Sequence, residues 1–226
     1  MNIIHRIMSM KYQYKMDTKS NPQIIHKAVN KKEGAIRRGK GWLFSFGSNN
    51  IDQLLDRLNC KIVKKEYPFD KNMLDIRAKE KDTGREREFL FIPAYMENHG
   101  RAFRGWSDNW GGGVATIIKK KGVNVYGYIV LLRREDLDIL DQYEGVSAGK
   151  YKRTWGKVIS ALDNSVTHHG YGMAGMGMPV GKVDAIYYKA TSKQFNEPSK
   201  KYLKAVLKTI EDFWEVPNGI DDIAIR

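Results

Sequence analysis

The sequence predicts an α+β fold, on three observations. Short runs mass or alternate apolar residues as strands do, at WLFSF (42–46), 114–118, 123–132, 151–159 and AIYYKA (185–190). Three other segments repeat apolar residues at helical spacing. The two kinds of element are mixed in order and lack the one-for-one alternation of a doubly wound parallel sheet.

Taken along the chain, WLFSF stops at Gly47 and leads through Ser48, Asn49 and Asn50 into IDQLLDRL, where Ile51, Leu54, Leu55 and Leu58 share one helix face. Residues 60–97 combine a strongly charged middle with apolar flanks, which reads as a surface excursion carrying strands such as 89–92. The runs at 114–118 and 123–132 read as a hairpin, with the lysine-rich stretch ending at Gly122 as its turn. Leu137, Leu140 and Tyr143 then mark a helix that Gly145 would stop. A strand at 151–159, a glycine- and methionine-rich loop containing His168 and His169, the strand AIYYKA and an amphipathic helix over 199–214 complete the order.

Composition places few limits on this plan and excludes several functions. With 226 residues, 42% of them hydrophobic and 29% charged, the chain fits one folded domain with extensions. The formal charge of +13 is uneven: residues 1–40 hold ten bases against two acids, leaving 29 against 24 elsewhere. We therefore read residues 1–40 as a basic N-terminal extension and 41–226 as the domain, with a charged insertion at about 60–97. A basic excess confined to a tail argues against a nucleic-acid function. Cys60 has no second cysteine to pair with, no run approaches the ~20 apolar residues of a membrane span, and the first residues lack a secretory core. These features point to the cytoplasm.

Two constellations carry chemistry. In FSFGSNN a strand turns at Gly-Ser-Asn straight into a helix, so that main-chain N–H groups and the positive helix end face one concavity suited to a carboxylate or oxyanion. Asn49 or Asn50 would cap that helix, and Ser48 lacks the Gly-x-Ser-x-Gly elbow of a nucleophile. In DLDILDQYEGV, Glu144 ends a helix just before Gly145; the negative helix end, with Asp141 and Tyr143 beside it, would raise its pKa and suit it to proton transfer. Each feature alone is equally the mark of an ordinary helix end.

Together FSFGSNN, WGGGVATI (110–117), VYGYIVLL (125–132), DLDILDQYEGVSAGKY (136–151) and EPSKKYL (197–203) resemble, in order and approximate spacing, the gamma-glutamylcyclotransferase family of the AIG2-like superfamily. The resemblance implies a small mixed β-barrel flanked by helices, with no metal or organic cofactor, and analogy with the family admits a homodimer. It implies a small γ-glutamyl substrate that cyclises to 5-oxoproline and releases an amine, with Glu144 as the catalytic acid and base. It further implies that Leu43, Phe44, Ser45, Phe46, Gly47 and Ser48 hold the γ-glutamyl group and that Tyr202 contacts it. The GSN turn resembles the branch acting on γ-glutamyl amino acids, although Phe46 stands where the family usually has tyrosine. A catalytically silent binding module is the alternative.

Two aromatic and basic features stand outside this reading. His168 and His169 are adjacent and would point to opposite sides of an extended chain, with no third metal ligand patterned nearby. Trp106 and Trp110, with Arg101 and Arg104, are expected to pack in the barrel beneath the WGGG strand.

Overall fold

In a computed structural model that describes residues 39–69, 73–162 and 179–214, the elements run β1 (Lys40–Ser45), α1 (Ile51–Arg57), β2 (Cys60–Phe69), β3 (Met73–Glu80), β4 (Glu86–Ser107), β5 (Gly112–Arg133), α2 (Arg134–Glu144), β6 (Tyr151–Ser160), β7 (Lys182–Ala190) and α3 (Lys200–Glu211). Residues 1–38 of the N-terminal extension and the loop bearing His168 and His169 lie outside the described residues. The strands form one sheet in the order β2-β3-β4-β5-β1-β7-β6. β6 returns to β4 through Ala94↔Ser160 and Tyr95↔Ile159, closing β4, β5, β1, β7 and β6 into a barrel. β1 and β7 pair in parallel and the other pairs are antiparallel, so the barrel is mixed and the fold is α+β.

Around β1, β7 and the end of β5 both faces of the sheet are covered, which explains why these strands read as near-continuous apolar runs. On one face Trp42 and Phe44 of β1, with Phe46 just after it, join Ile129, Tyr187 and the Tyr202, Leu203, Val206 and Ile210 face of α3. On the other, Leu43, Val130, Ile186 and Tyr188 pack under Ile51, Leu54 and Leu55 of α1 and Leu137 and Leu140 of α2. Fully burying each such side chain contributes roughly 1.5–3 kcal/mol. Where strands and loops approach most closely, glycine is required: a Cβ on Gly127 would lie 2.0 Å from the Ser45 carbonyl oxygen, and one on Gly113 would lie 2.0 Å from that of Asn196. Among the described residues no helix is long and apolar enough to cross a membrane.

Three local readings differ from the structure. The runs at 114–118 and 123–132 belong to one strand, β5, and the hairpin turn lies at 108–111, between β4 and β5. The lysines sit in a bulge instead: Glu97 pairs with Asn124 and His99 with Lys119, so residues 120–123 stand opposite Asn98. Asn98 and Gly122 both take positive φ there, and the Gly122 N–H donates to Asn98 Oδ1 at 3.0 Å, so the strand resumes its partner after the excursion. Residues 60–97 form β2, β3 and the first half of β4, and their Leu74, Ile76, Phe89, Phe91 and Ile92 are fully buried. Their charges line the solvent face, where Arg77 meets Glu88 and Lys79 meets Glu86 across β3 and β4. Trp106 is 58% exposed, so it does not pack in the barrel. It follows Gly105, whose positive φ turns the end of β4 outward beside Ser192.

Candidate active site

β1 delivers Leu43, Phe44 and Ser45 to the end of the barrel, where the chain passes through Phe46 and turns at Gly47 and Ser48 into α1. All six line a cavity of about 570 Å³, together with Glu144 and Tyr202. The structure thus brings the eight predicted site residues to one concavity. The turn is held from within. Ser45 Oγ–H donates to the Asn49 carbonyl at 2.9 Å and the Tyr128 hydroxyl donates to the same oxygen at 2.6 Å. Asn50 is the helix cap, its Oδ1 accepting from the Gln53 N–H at 3.1 Å. Beneath the turn Arg101, with no solvent exposure, donates from Nε to the Phe46 carbonyl at 3.1 Å and from Nη2 to that of Tyr126 at 2.9 Å.

α2 brings Glu144 to the same cavity. Its N-terminus is fixed by Asp136, which accepts from the Arg133 N–H at 2.9 Å. Leu137 and Leu140 anchor its inner face. Its C-terminus closes with Gly145 at φ 63°, the Gly145 N–H donating to the Gln142 carbonyl and the Val146 N–H to that of Asp141. Glu144 is the last helical residue and its side chain is 14% exposed.

The electrostatic neighbours of Glu144 differ from those the sequence suggested. Asp141 is engaged elsewhere: Arg153 Nε lies 2.6 Å from its carboxylate, and the Tyr188 hydroxyl donates to it at 2.9 Å. The group beside Glu144 is a cation, with Arg57 Nη1 donating to its Oε1 at 2.8 Å. Asn49 completes a triangle, donating from Nδ2 to the same Oε1 at 3.1 Å and accepting from Arg57 Nη1 on Oδ1 at 2.6 Å. Tyr143 lies against the same Arg57, 5.2 Å from ring centre to guanidinium.

Tyr202 enters from α3. The segment before it packs on β5, whose Gly113 N–H donates to the Glu197 carbonyl at 2.9 Å, and Ser199 caps the helix by accepting from the Tyr202 N–H. The Tyr202 hydroxyl oxygen accepts from the Ala115 N–H at 2.7 Å and meets the Ser48 side chain. Burial pushes its phenol up to about 12, against the opposing effect of the Ala115 N–H. Burial likewise raises the Tyr151 phenol, whose hydroxyl donates to the Ala115 carbonyl at 3.4 Å. Phe46 is buried, stacked on Phe44 at 5.8 Å with Tyr187 edge-on at 6.3 Å, so its ring serves packing.

The sequence reading missed Arg57 and gave Asn49 no more than a capping role. A signal was present: Arg57 follows Asn49 by eight residues, about two turns of the helix that the Gly-Ser-Asn turn starts, so both flank the same opening. Tyr151, Arg104, Trp106, Trp110 and Lys150 also line the cavity without having been assigned to it. Among the described residues no group of three or more His, Cys, Asp or Glu is placed to hold a metal ion.

No family model matches the chain. Over 65 residues it is 34% identical to a gamma-glutamylcyclotransferase from Homo sapiens, a stretch of 29% of this chain and 35% of that protein. The match therefore spans about a third of that relative's length. Among solved structures, one described as a gamma-glutamyl cyclotransferase aligns with a TM-score of 0.51 at 18% identity, over 77% of this chain and 80% of the other. A second, described as an uncharacterized protein from Homo sapiens, aligns with a TM-score of 0.52 at the same identity and coverage. These likenesses identify the fold.

Proposed function

We propose that this chain, which by its fold belongs to the gamma-glutamyl cyclotransferase-like superfamily, is a gamma-glutamylcyclotransferase that converts a γ-glutamyl amino acid or amine to 5-oxoproline and the free amine. The observation that carries the reading is that one carboxylate, Glu144, and the turn at Gly47 and Ser48 line a single cavity large enough for a glutamate-sized guest. The partial match to a gamma-glutamylcyclotransferase supports a γ-glutamyl substrate, and the resemblance of the GSN turn favours a γ-glutamyl amino acid.

In this reading Glu144 takes a proton from the substrate's α-ammonium. The freed amine attacks the γ-carbonyl carbon, a ring forms, and the carbonyl oxygen becomes an oxyanion facing the main chain of the turn. As the old C–N bond breaks, the same carboxyl returns its proton to the departing amine, and the ring nitrogen gives up its second proton, which leaves the product amine as an ammonium and the ring as the neutral lactam. Arg57 and Asn49 both engage Oε1, which would leave Oε2 for the transfer and fix its direction. Arg101 would act from below: its donation to the Phe46 carbonyl polarises the peptide whose N–H belongs to Gly47. Phe46 supplies no hydroxyl, so on this account the turn contacts substrate through its main chain and Ser48, with Tyr202 behind.

The decisive experiment compares wild type with Glu144→Gln on a panel of γ-glutamyl amino acids and γ-glutamyl amines, with 5-oxoproline release followed by mass spectrometry. An amide cannot cycle a proton, so the variant should fold, bind and lose ~10² to 10⁴ in turnover. Turnover within a few-fold of wild type would refute the assignment. Binding by the wild type without any 5-oxoproline would point to a silent binding module.

A further inference from the structure

Glu144 ends a helix that carries two further acids along its length toward the same end, Asp138 and Asp141. Residues three apart on a helix are neighbours, with ~5–6 Å between their Cβ atoms, so a bare Asp141 carboxylate would repel the charge on Glu144. The sheet beneath α2 meets that acid with two side chains. Arg153 of β6 and Tyr188 of β7 are cross-strand partners and therefore share one face, the face on which Leu137 and Leu140 pack. Arg153 donates from Nε to Asp141 Oδ1 at 2.6 Å and from Nη2 to Asp138 Oδ1 at 2.7 Å. The Tyr188 hydroxyl donates to the same Asp141 oxygen at 2.9 Å. Burial, reinforced by that bond, raises the Tyr188 phenol above its ordinary range, so the hydroxyl stays a donor. Arg153 and Asp141 are 28% and 26% exposed, which leaves their attraction only partly screened.

Among the described residues, the other charges near Glu144 are opposite in sign to Asp141. Arg57 reaches it from α1, the Lys150 side chain runs beside Gly145 at the helix end, and Arg104 of β4 lines the same cavity. Tyr151 of β6 and Tyr202 of α3 also interact with Glu144, but burial raises both phenols and keeps them uncharged. Asp141 is thus the neighbour that could oppose the pairing of Glu144 with Arg57, and Arg153 is the cation that neutralises it.

We propose that Arg153 is a positioning residue for proton transfer at Glu144: paired with Asp141, it keeps that carboxylate from contesting the bond between Arg57 and Glu144. The role deepens the cyclotransferase reading and rests on it. It falls to a side chain that is not among those lining the cavity.

Three full-length variants separate charge from scaffold: Arg153→Met, Arg153→Gln, and Arg153→Met combined with Asp141→Asn. Isotopically labelled glutamate carboxyls are titrated by NMR, with the Glu144 signal identified by its loss in Glu144→Gln. The pH profile of kcat/KM is recorded beside it, using the best γ-glutamyl substrate of the panel. With the cation removed, Asp141 repels a charged Glu144, which then holds its proton to higher pH. The Glu144 titration and the acidic limb of the rate profile should both move up by roughly one pH unit in Arg153→Met and in Arg153→Gln. The double variant, which also lacks the Asp141 charge, should return to wild type in both measurements. A titration unmoved by either single substitution overturns the proposal. A shift that persists in the double variant overturns it too, because the cause is then a loosened helix. Circular dichroism checks the fold, and Arg153→Gln, which keeps a donor for Asp141, carries the same test if Arg153→Met does not fold. If wild type releases no 5-oxoproline the cyclotransferase reading falls, while the NMR titration still decides whether Arg153 governs the charge on Glu144.

Discussion

Arg57 shows how a single side chain conditions the site. It and Glu144 are 15% and 14% exposed, far enough from water that their pairing is only partly screened. Arg57→Met should lower kcat by about 10- to 100-fold, the range expected when a hydrogen bond to a charged group is lost. A smaller change in KM and partial rescue by Arg57→Lys would identify a positioning role, whereas equal loss in both variants would not. Tyr202 admits a different check. In Tyr202→Phe the buried Ala115 N–H loses its acceptor, so stability should fall by about 1–3 kcal/mol, read from the urea midpoint.

At the scale of elements, the end of α2 carries its own prediction. Gly145 takes φ 63°, and a Cβ there would sit 3.1 Å from the Lys150 side chain. Gly145→Ala should therefore destabilise by roughly 1–2 kcal/mol and lower the melting temperature by several degrees. Glycine after DLDILDQYE marks this stop locally, and for that reason the position of Glu144 was legible before any coordinates. Its partner was not, because Arg57 lies 87 residues away and only barrel closure brings α1 and α2 together. The lysine-rich stretch misled for the converse reason: residues 119–122 have turn chemistry, but the pairing of β4 with β5 continues past them and converts the turn into a bulge. Charge similarly hid the apolar face of β2 and β3, since a half-buried strand shows its polar residues as plainly as its core ones.

Across the whole molecule, one buried carboxylate ties separate parts of the sheet to α2. Asp136 is 1% exposed, lies 2.7 Å from Arg87 Nη2 of β4, and also meets Arg133 at the end of β5. Arg87 is itself 9% exposed and its other carboxylate partner, Glu80, stands 3.9 Å away, so Asp136→Ala leaves a buried cation poorly paired and should destabilise by about 3 kcal/mol in denaturant titration. A value within 1 kcal/mol of wild type would show that water replaces the lost partner. The α+β class and the contributing blocks were legible in the sequence, whereas the closure of the cylinder, a property of distant strands, was not.

That closure is narrow. β6 runs along β7 from Tyr151↔Ala190 to Ile159↔Lys182, yet among the described residues it meets β4 just at Ala94↔Ser160 and Tyr95↔Ile159. A cylinder joined along so short a line should part there first, as a zip gives at its last teeth. Amide deuteration ought to advance earlier on the β4-facing side of β6 than along the long β4–β5 ribbon. The wall carrying Glu144 could then breathe without the domain unfolding.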